Sequence, residues 1–270
     1  MSDLWASPWT WGAAATVVVA SGVGVALGAL SGRKKYSTED FGRTDGEGDA
    51  QPFELPEDAK GRDLVPRRCA QAGLPDDVAT FLNFVALGEA GWNPLVALGD
   101  PSLVPDGIKV RVDMNEAAGA RRAYERRADI FADCPHSPQD YQFGSGGLFG
   151  ALPAYWLYHF RNTPLRCASP FEVFDPAFAV AGAYSFARGV SLHPAFEGNV
   201  RSLRAGWGSL KRMVDRSYDG KLAKWRRQAR TLGLPESYID GPAPEFPKLD
   251  LLELYHRLGG ELARSGKAVA

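Results

Sequence analysis

Apolar residues follow two regimes along the chain. From Trp11 to Gly32 they are almost continuous, mostly Ala, Val, Gly and Leu, and no charged residue interrupts them between Asp3 and Arg33. As a helix rising ~1.5 Å per residue that run would be ~33 Å long, enough for a hydrocarbon layer of ~30 Å. It predicts a transmembrane anchor within residues 1–35, with Trp5, Trp9 and Trp11 at one interface and Arg33, Lys34 and Lys35 at the other. A cleaved signal peptide is the rival reading, because Ala29 and Ser31 have the small size a cleavage site needs. The run's length and the lack of Lys or Arg before it favour the anchor. The basic cluster favours a cytoplasmic C-terminal side. Gly24, Gly28 and Gly32 form a small-residue stripe suited to self-association of such helices, although Gly is also simply frequent in them.

Residues 36–60 lose this character. Asp, Glu, Gly, Ser, Thr and Pro dominate, which predicts a flexible acidic linker. From Gly61 onward the apolar positions recur at helical spacing. Val78, Phe81, Leu82 and Val85 lie at i, i+3, i+4 and i+7, with Pro75, Asp76 and Asp77 as a start signal and Gly91 and Pro94 as a stop. At ~100° per residue Glu89 falls on the same stripe as Val78, so this helix carries a carboxyl into its apolar face in its last turn. Further helices are predicted over 115–131, over 175–189, from Val200 through Leu203, Trp207 and Leu210 to Val214, from Leu222 to Leu232, and over 249–262. No run alternates convincingly as a strand, and a small β element is allowed for within 95–143. The expected fold class is therefore mainly α, in one domain over 61–270.

Composition narrows the function. The net charge of −1 gives no basic face for nucleic acid. Cys69, Cys134 and Cys167 contain no C-x-x-C pair and His136, His159, His193 and His256 no ligand spacing, so neither metal nor cofactor is implied. The cysteines read as inert buried thiols, with an undetermined disulfide among them as the alternative. There is no Walker loop and no Gly-x-Ser-x-Gly elbow. A partly buried Glu89 is expected to have a raised pKa and so to hold a proton that it can give to a glycosidic oxygen. The run Gly144-Ser145-Gly146-Gly147 reads as a flexible loop that lets backbone approach a ligand. Tyr155, Trp156 and Tyr158 beyond it offer faces on which sugars stack, although aromatics at helical spacing more often belong to a core.

Two of these stretches carry a resemblance. Gly88-Glu89-Ala90-Gly91-Trp92-Asn93-Pro94 resembles the Glu-Ser-x-x-Asn-Pro signature of the lytic transglycosylases related to goose-type lysozyme. Gly144-Ser145-Gly146-Gly147-Leu148-Phe149-Gly150, with Leu152-Pro153, resembles their Gly-x-x-Gly-Leu-Met-Gln-x-x-Pro signature. The stretch from Asp175 to Gly189 and the run Ala205-Gly206-Trp207-Gly208 are similar to later family segments, and the likeness spans roughly 74–214. Ala90, Gly150, Leu203 and Arg204 depart from the pattern, and the segment around 95–143 is an insertion relative to it.

The resemblance implies a lysozyme-like fold and cleavage of the β-1,4 bond between N-acetylmuramic acid and N-acetylglucosamine in peptidoglycan glycan strands. Glu89 would be general acid and base. Trp92, Asn93, Ser145, Gly147, Leu148, Phe149, Tyr155, Trp156 and Tyr184 would contact substrate. A hydrolytic route would need a second carboxylate, for which Asp100, Asp113 and Asp175 are candidates. The anchor implies a single-pass membrane protein with its domain on the wall side, or a phage virion component. The departures support an alternative, a weak or inactive lysozyme-like structural or glycan-binding protein.

Overall fold

In a computed structural model, which describes residues 61–207, 226–235, 238 and 241–261, local signals set most helix bounds. Helix α1, Leu64–Gln71, buries Leu64, Val65 and Cys69 and leads into α2, Asp76–Ala90. Asp76 and Asp77 occupy the first turn of α2 beside its positive end. Pro75 precedes the helix as its cap, in extended geometry, and does not form the first helical residue. Gly91 ends α2 at φ 58°, and the N–H groups of Gly91 and Trp92 donate to the carbonyls of Leu87 and Ala86 at 3.1 and 3.3 Å. Helix α2 is buried almost all round between Val78 and Ala86. Phe81 packs edge-on to Trp207 and Phe246, and Phe84 edge-on to Tyr238.

After α2 the chain forms a three-stranded mixed sheet in the order β2-β1-β3. Strand β1, Val96–Gly99, runs parallel to β2, Lys109–Val112, and antiparallel to β3, Gly144–Gly146. Gly99 lies opposite Gly144, and a Cβ on either would sit 1.8 Å from the carbonyl oxygen of Phe143 or 2.1 Å from that of Leu98. Between β2 and β3 lies α3, Met114–Glu125, capped by the Asp113 carboxylate on the N–H groups of Asn115 and Glu116. The helix expected to continue to Phe131 breaks at Arg126 and Arg127, and α4 is the short Ala128–Phe131. The break brings Phe131 back against Tyr124 and Tyr141, whose rings stack with it and meet each other at a tilt.

Helix α5, Pro153–His159, and helix α6, Pro176–Ser191, complete the centre. Asp175 caps α6 by accepting from Phe178 N–H at 2.9 Å. Helix α7 is only Val200–Arg204, shorter than the predicted stripe, whose end at 208–214 is outside the described residues. Residues 226–231 are helical, and α8, Leu251–Arg257, is capped by Asp250. The stretch before α8 buries Phe246 against Phe81 and Tyr184.

Cys134 and Cys167 form a disulfide, so two of the three expected free thiols are in fact paired. Cys69 remains a buried thiol, its pKa pushed up to about 12 by burial. The bridge ties the end of the insertion to the turn after α5, and Arg166 beside it donates to both carboxylate oxygens of Asp133, at 3.0 and 2.7 Å. With a sequence separation of 33 residues, closing this loop stabilises the fold by about 3–4 kcal/mol. Thermal unfolding with and without dithiothreitol is expected to show that loss. An unchanged Tm after complete reduction would contradict it.

The expected fold class is corrected on two points. A three-stranded sheet stands where helices dominated the prediction, and its third strand lies beyond the segment allowed for a β element. The anchor and the single-pass membrane localisation are not upheld. Among the described residues no helix is long and apolar enough to cross a membrane. The longest helix lying wholly within the described residues, α6, has 16 residues, against the ~20 that spanning needs. The segment 11–32 with Gly24, Gly28 and Gly32, and the linker 36–60, lie outside the described residues.

Candidate active site

Glu89 occupies the last turn of α2, half-buried, and its carboxylate faces the second signature stretch. A Cβ on Gly150 would lie 3.0 Å from Glu89 Oε2. Position 150 therefore brings backbone, with no side chain, up to the carboxylate. The predicted flexible loop at 144–147 is corrected to a buried strand and tight turn. Gly146 and Ala151 exchange N–H to carbonyl bonds at 2.9 and 2.8 Å, Gly150 N–H donates to Gly147 at 3.3 Å, and Gly147 N–H donates to Val96 at 3.0 Å. Gly147 has φ +74°, and a Cβ there would lie 1.8 Å from the carbonyl oxygen of Val173. Only glycine fits both the turn and that approach. Leu148 and Phe149 at the tip point inward and are fully buried, which anchors the hairpin to the core.

The first signature serves the helix end. Trp92 adopts φ 62°, and its indole Nε1–H donates to the carbonyl of Asn83 at 3.2 Å, folding the ring back on α2. Asn93 Oδ1 accepts from Leu95 N–H at 3.0 Å, so its side chain shapes the turn into β1. Both residues fix the exit of the chain from Glu89.

The aromatic residues separate into two groups. Trp156 is buried against Gly182, where a Cβ would come within 2.3 Å of its Nε1. Tyr184 is buried too and donates through its hydroxyl to the carbonyl of Pro247 at 2.8 Å, with burial pushing its pKa up to about 12. Tyr155 and Tyr158 are half-buried, with the Arg127 guanidinium 3.5 Å from the Tyr158 ring centre and 5.8 Å from that of Tyr155. The structure thus brings together Glu89, with Trp92 and Asn93 just after it, and the backbone of the hairpin bearing Ser145, Gly147 and Gly150, while the expected substrate contacts Leu148, Phe149, Trp156 and Tyr184 belong to the core.

The three aspartates considered as a second acid all act as helix caps. Asp100 accepts from Ser102 N–H and Oγ–H at 2.9 and 2.7 Å, and Asp113 and Asp175 cap α3 and α6. A different carboxyl, Glu116 in the first turn of α3, lies beside Ser145 of β3. Burial holds its pKa above the usual carboxylate value, nearby Asp113 adds to the rise, and Ser145 and Arg122 oppose it. Sequence reasoning passed over Glu116 because it reads as an ordinary first-turn acid. Only the packing of α3 on β3 sets it apart.

One group of metal-ligating types is close together among the described residues: Asp133, Cys134 and Cys167. Its two sulfurs are bonded to each other, and its carboxylate is held by Arg166. Compared with known proteins, the chain matches no family model, no curated protein and no solved structure.

Proposed function

We propose that the chain is a lytic transglycosylase that cleaves the β-1,4 bond between N-acetylmuramic acid and N-acetylglucosamine of peptidoglycan, with Glu89 as general acid and base. The observation that carries this reading is the half-buried Glu89 carboxylate set against the glycine hairpin of the second motif, with Gly150 beside it. Glu89 gives its proton to the glycosidic oxygen as the C1–O bond breaks, then takes a proton from the C6 hydroxyl of the muramic residue as that oxygen closes a 1,6-anhydro ring. One carboxyl suffices because the nucleophile belongs to the substrate. Neither cofactor nor nucleic acid enters the scheme.

A second reading, glycan binding without cleavage, draws on the departures from the motifs. Arg204 stands at a family site position, yet its side chain is buried, with its guanidinium 5.4 Å from the Phe84 ring centre. Purified peptidoglycan incubated with the protein, followed by mass spectrometry of the soluble fraction, separates the two. Muropeptides with 1,6-anhydro ends are expected. A folded protein that cosediments with the wall and releases nothing would replace the first reading with the second.

A further inference from the structure

We infer that the outer edge of β2 is a docking edge for residues 52–56 of this same chain, which add to it as a fourth, antiparallel strand with Glu54 opposite Arg111. Strand β2 ends the sheet, with β1 on one side of it. Lys109 N–H donates to the Leu95 carbonyl and Asp113 N–H to that of Gly99, both at 3.0 Å, so positions 109, 111 and 113 turn their backbone groups toward β1. Those groups alternate along a strand. The N–H and carbonyl of Val110 and Val112 therefore face the open side, unbonded among the described residues. Such an edge is a template for a further extended segment. It is also apolar at its far end, where Val112 is 65% and Met114 57% exposed, while Lys109 and Arg111 are exposed cations on the opposite face.

Three features select the occupant, whose residues lie outside the described ones. The first is reach. Gly61 N–H donates to the Trp92 carbonyl at 3.3 Å, so the chain before it arrives beside the turn into β1, at the end of the sheet where β1 and β2 both start. A segment lying along β2 and ending there runs antiparallel to it. The five steps from Pro56 to Gly61 cover up to ~17 Å, against ~10 Å for the two strand spacings from β1 to a place beyond β2. The second is the phase of the prolines in Pro52-Phe53-Glu54-Leu55-Pro56. When Leu55 pairs with Val110 and Phe53 with Val112, both prolines fall on the outward side, where no N–H is needed, and they close the new edge to further strands. The third is charge. That register sets Glu54 opposite Arg111 in a non-hydrogen-bonded pair, the closer kind. Phe53 and Leu55 then continue the face on which β1 buries Ala97 and Gly99, which stand beside Val110 and Val112.

The test is hydrogen exchange on the full chain, read at the amides of Val110 and Val112. Both are expected to be protected. Leu55→Pro deletes an N–H that faces β2 and is expected to speed their exchange by about tenfold or more, with the Gly147 amide unmoved as the control for folding. Glu54→Pro puts the same ring at an outward position and is expected to keep exchange within about threefold of wild type. A second readout fixes the register. With Glu54→Cys and Arg111→Cys combined, mild oxidation is expected to close a bridge about tenfold or more faster than with Glu47→Cys and Arg111→Cys, a pair tethered to the same edge but out of register. Unprotected Val110 and Val112 amides in wild type overturn the inference, and so do equal bridging rates. Protection that ignores Leu55→Pro overturns it as well, and if that protection grows with protein concentration the occupant is a second copy of the chain. Neither readout involves glycan, so failure here leaves the reading of Glu89 untouched.

Discussion

Glu89→Gln is expected to lower muropeptide release by roughly 10²–10⁴-fold, the range general acid–base groups contribute, which corresponds to about 3–5 kcal/mol of barrier. The amide matches the carboxylate in size and removes the only proton the scheme moves first. Because the amide keeps the size and shape of a half-buried side chain at the helix end, the fold should persist, with a stability loss of at most about 1–2 kcal/mol. Initial rates of release from wall suspensions, read beside a urea titration, check both halves. Release at the wild-type rate would remove Glu89 from the mechanism. Lost release with an equally lowered unfolding midpoint would make its role structural.

Gly147→Ala should be the most damaging single methyl in the hairpin, at about 2–5 kcal/mol. Two costs add. The left-handed φ of +74° is worth about 1–2 kcal/mol to a residue with a Cβ. The new carbon would then lie 1.8 Å from the backbone carbonyl of Val173, which cannot swing aside as a side chain can, adding about 1–3 kcal/mol. Gly91→Ala isolates the first cost, since φ there is +58° and nothing lies within 4 Å. Urea midpoints at constant m-value compare the pair. Equal losses would mean that the Val173 carbonyl yields, and that the hairpin is less tightly held than described.

Features set by neighbours in sequence were legible before the fold was known. Helix α2 was predicted as 75–89 and is Asp76–Ala90, because its stripe, its acidic first turn and Gly91 all act within a few residues. The Asp175 cap of α6 was legible for the same reason. The sheet was not. Strand β3 is Gly144–Gly146, a composition with almost no intrinsic strand preference, held extended by β1, far away in the chain. Tyr184 and Trp156 were assigned to substrate by resemblance, yet at helical spacing they had the pattern of core residues, which the structure makes them. Which cysteines pair is a fact of folded geometry that spacing does not encode. Glu116 stood out only through Ser145, which meets it across a helix–strand contact.

The facing glycines of β1 and β3 put a constraint on how this protein can vary. Gly144 opens the second motif and would ordinarily be credited with room for a ligand, but what its missing side chain admits is the backbone of Leu98 and Gly99. Gly99 belongs to the insertion. A descendant that gained a side chain at either position would have to part the two strands, and with them the hairpin carrying Ser145 and Gly150. The insertion is thus not a removable decoration. It and the motif can diverge only as a pair, and a transplant of either into a related scaffold should fail unless the other travels with it.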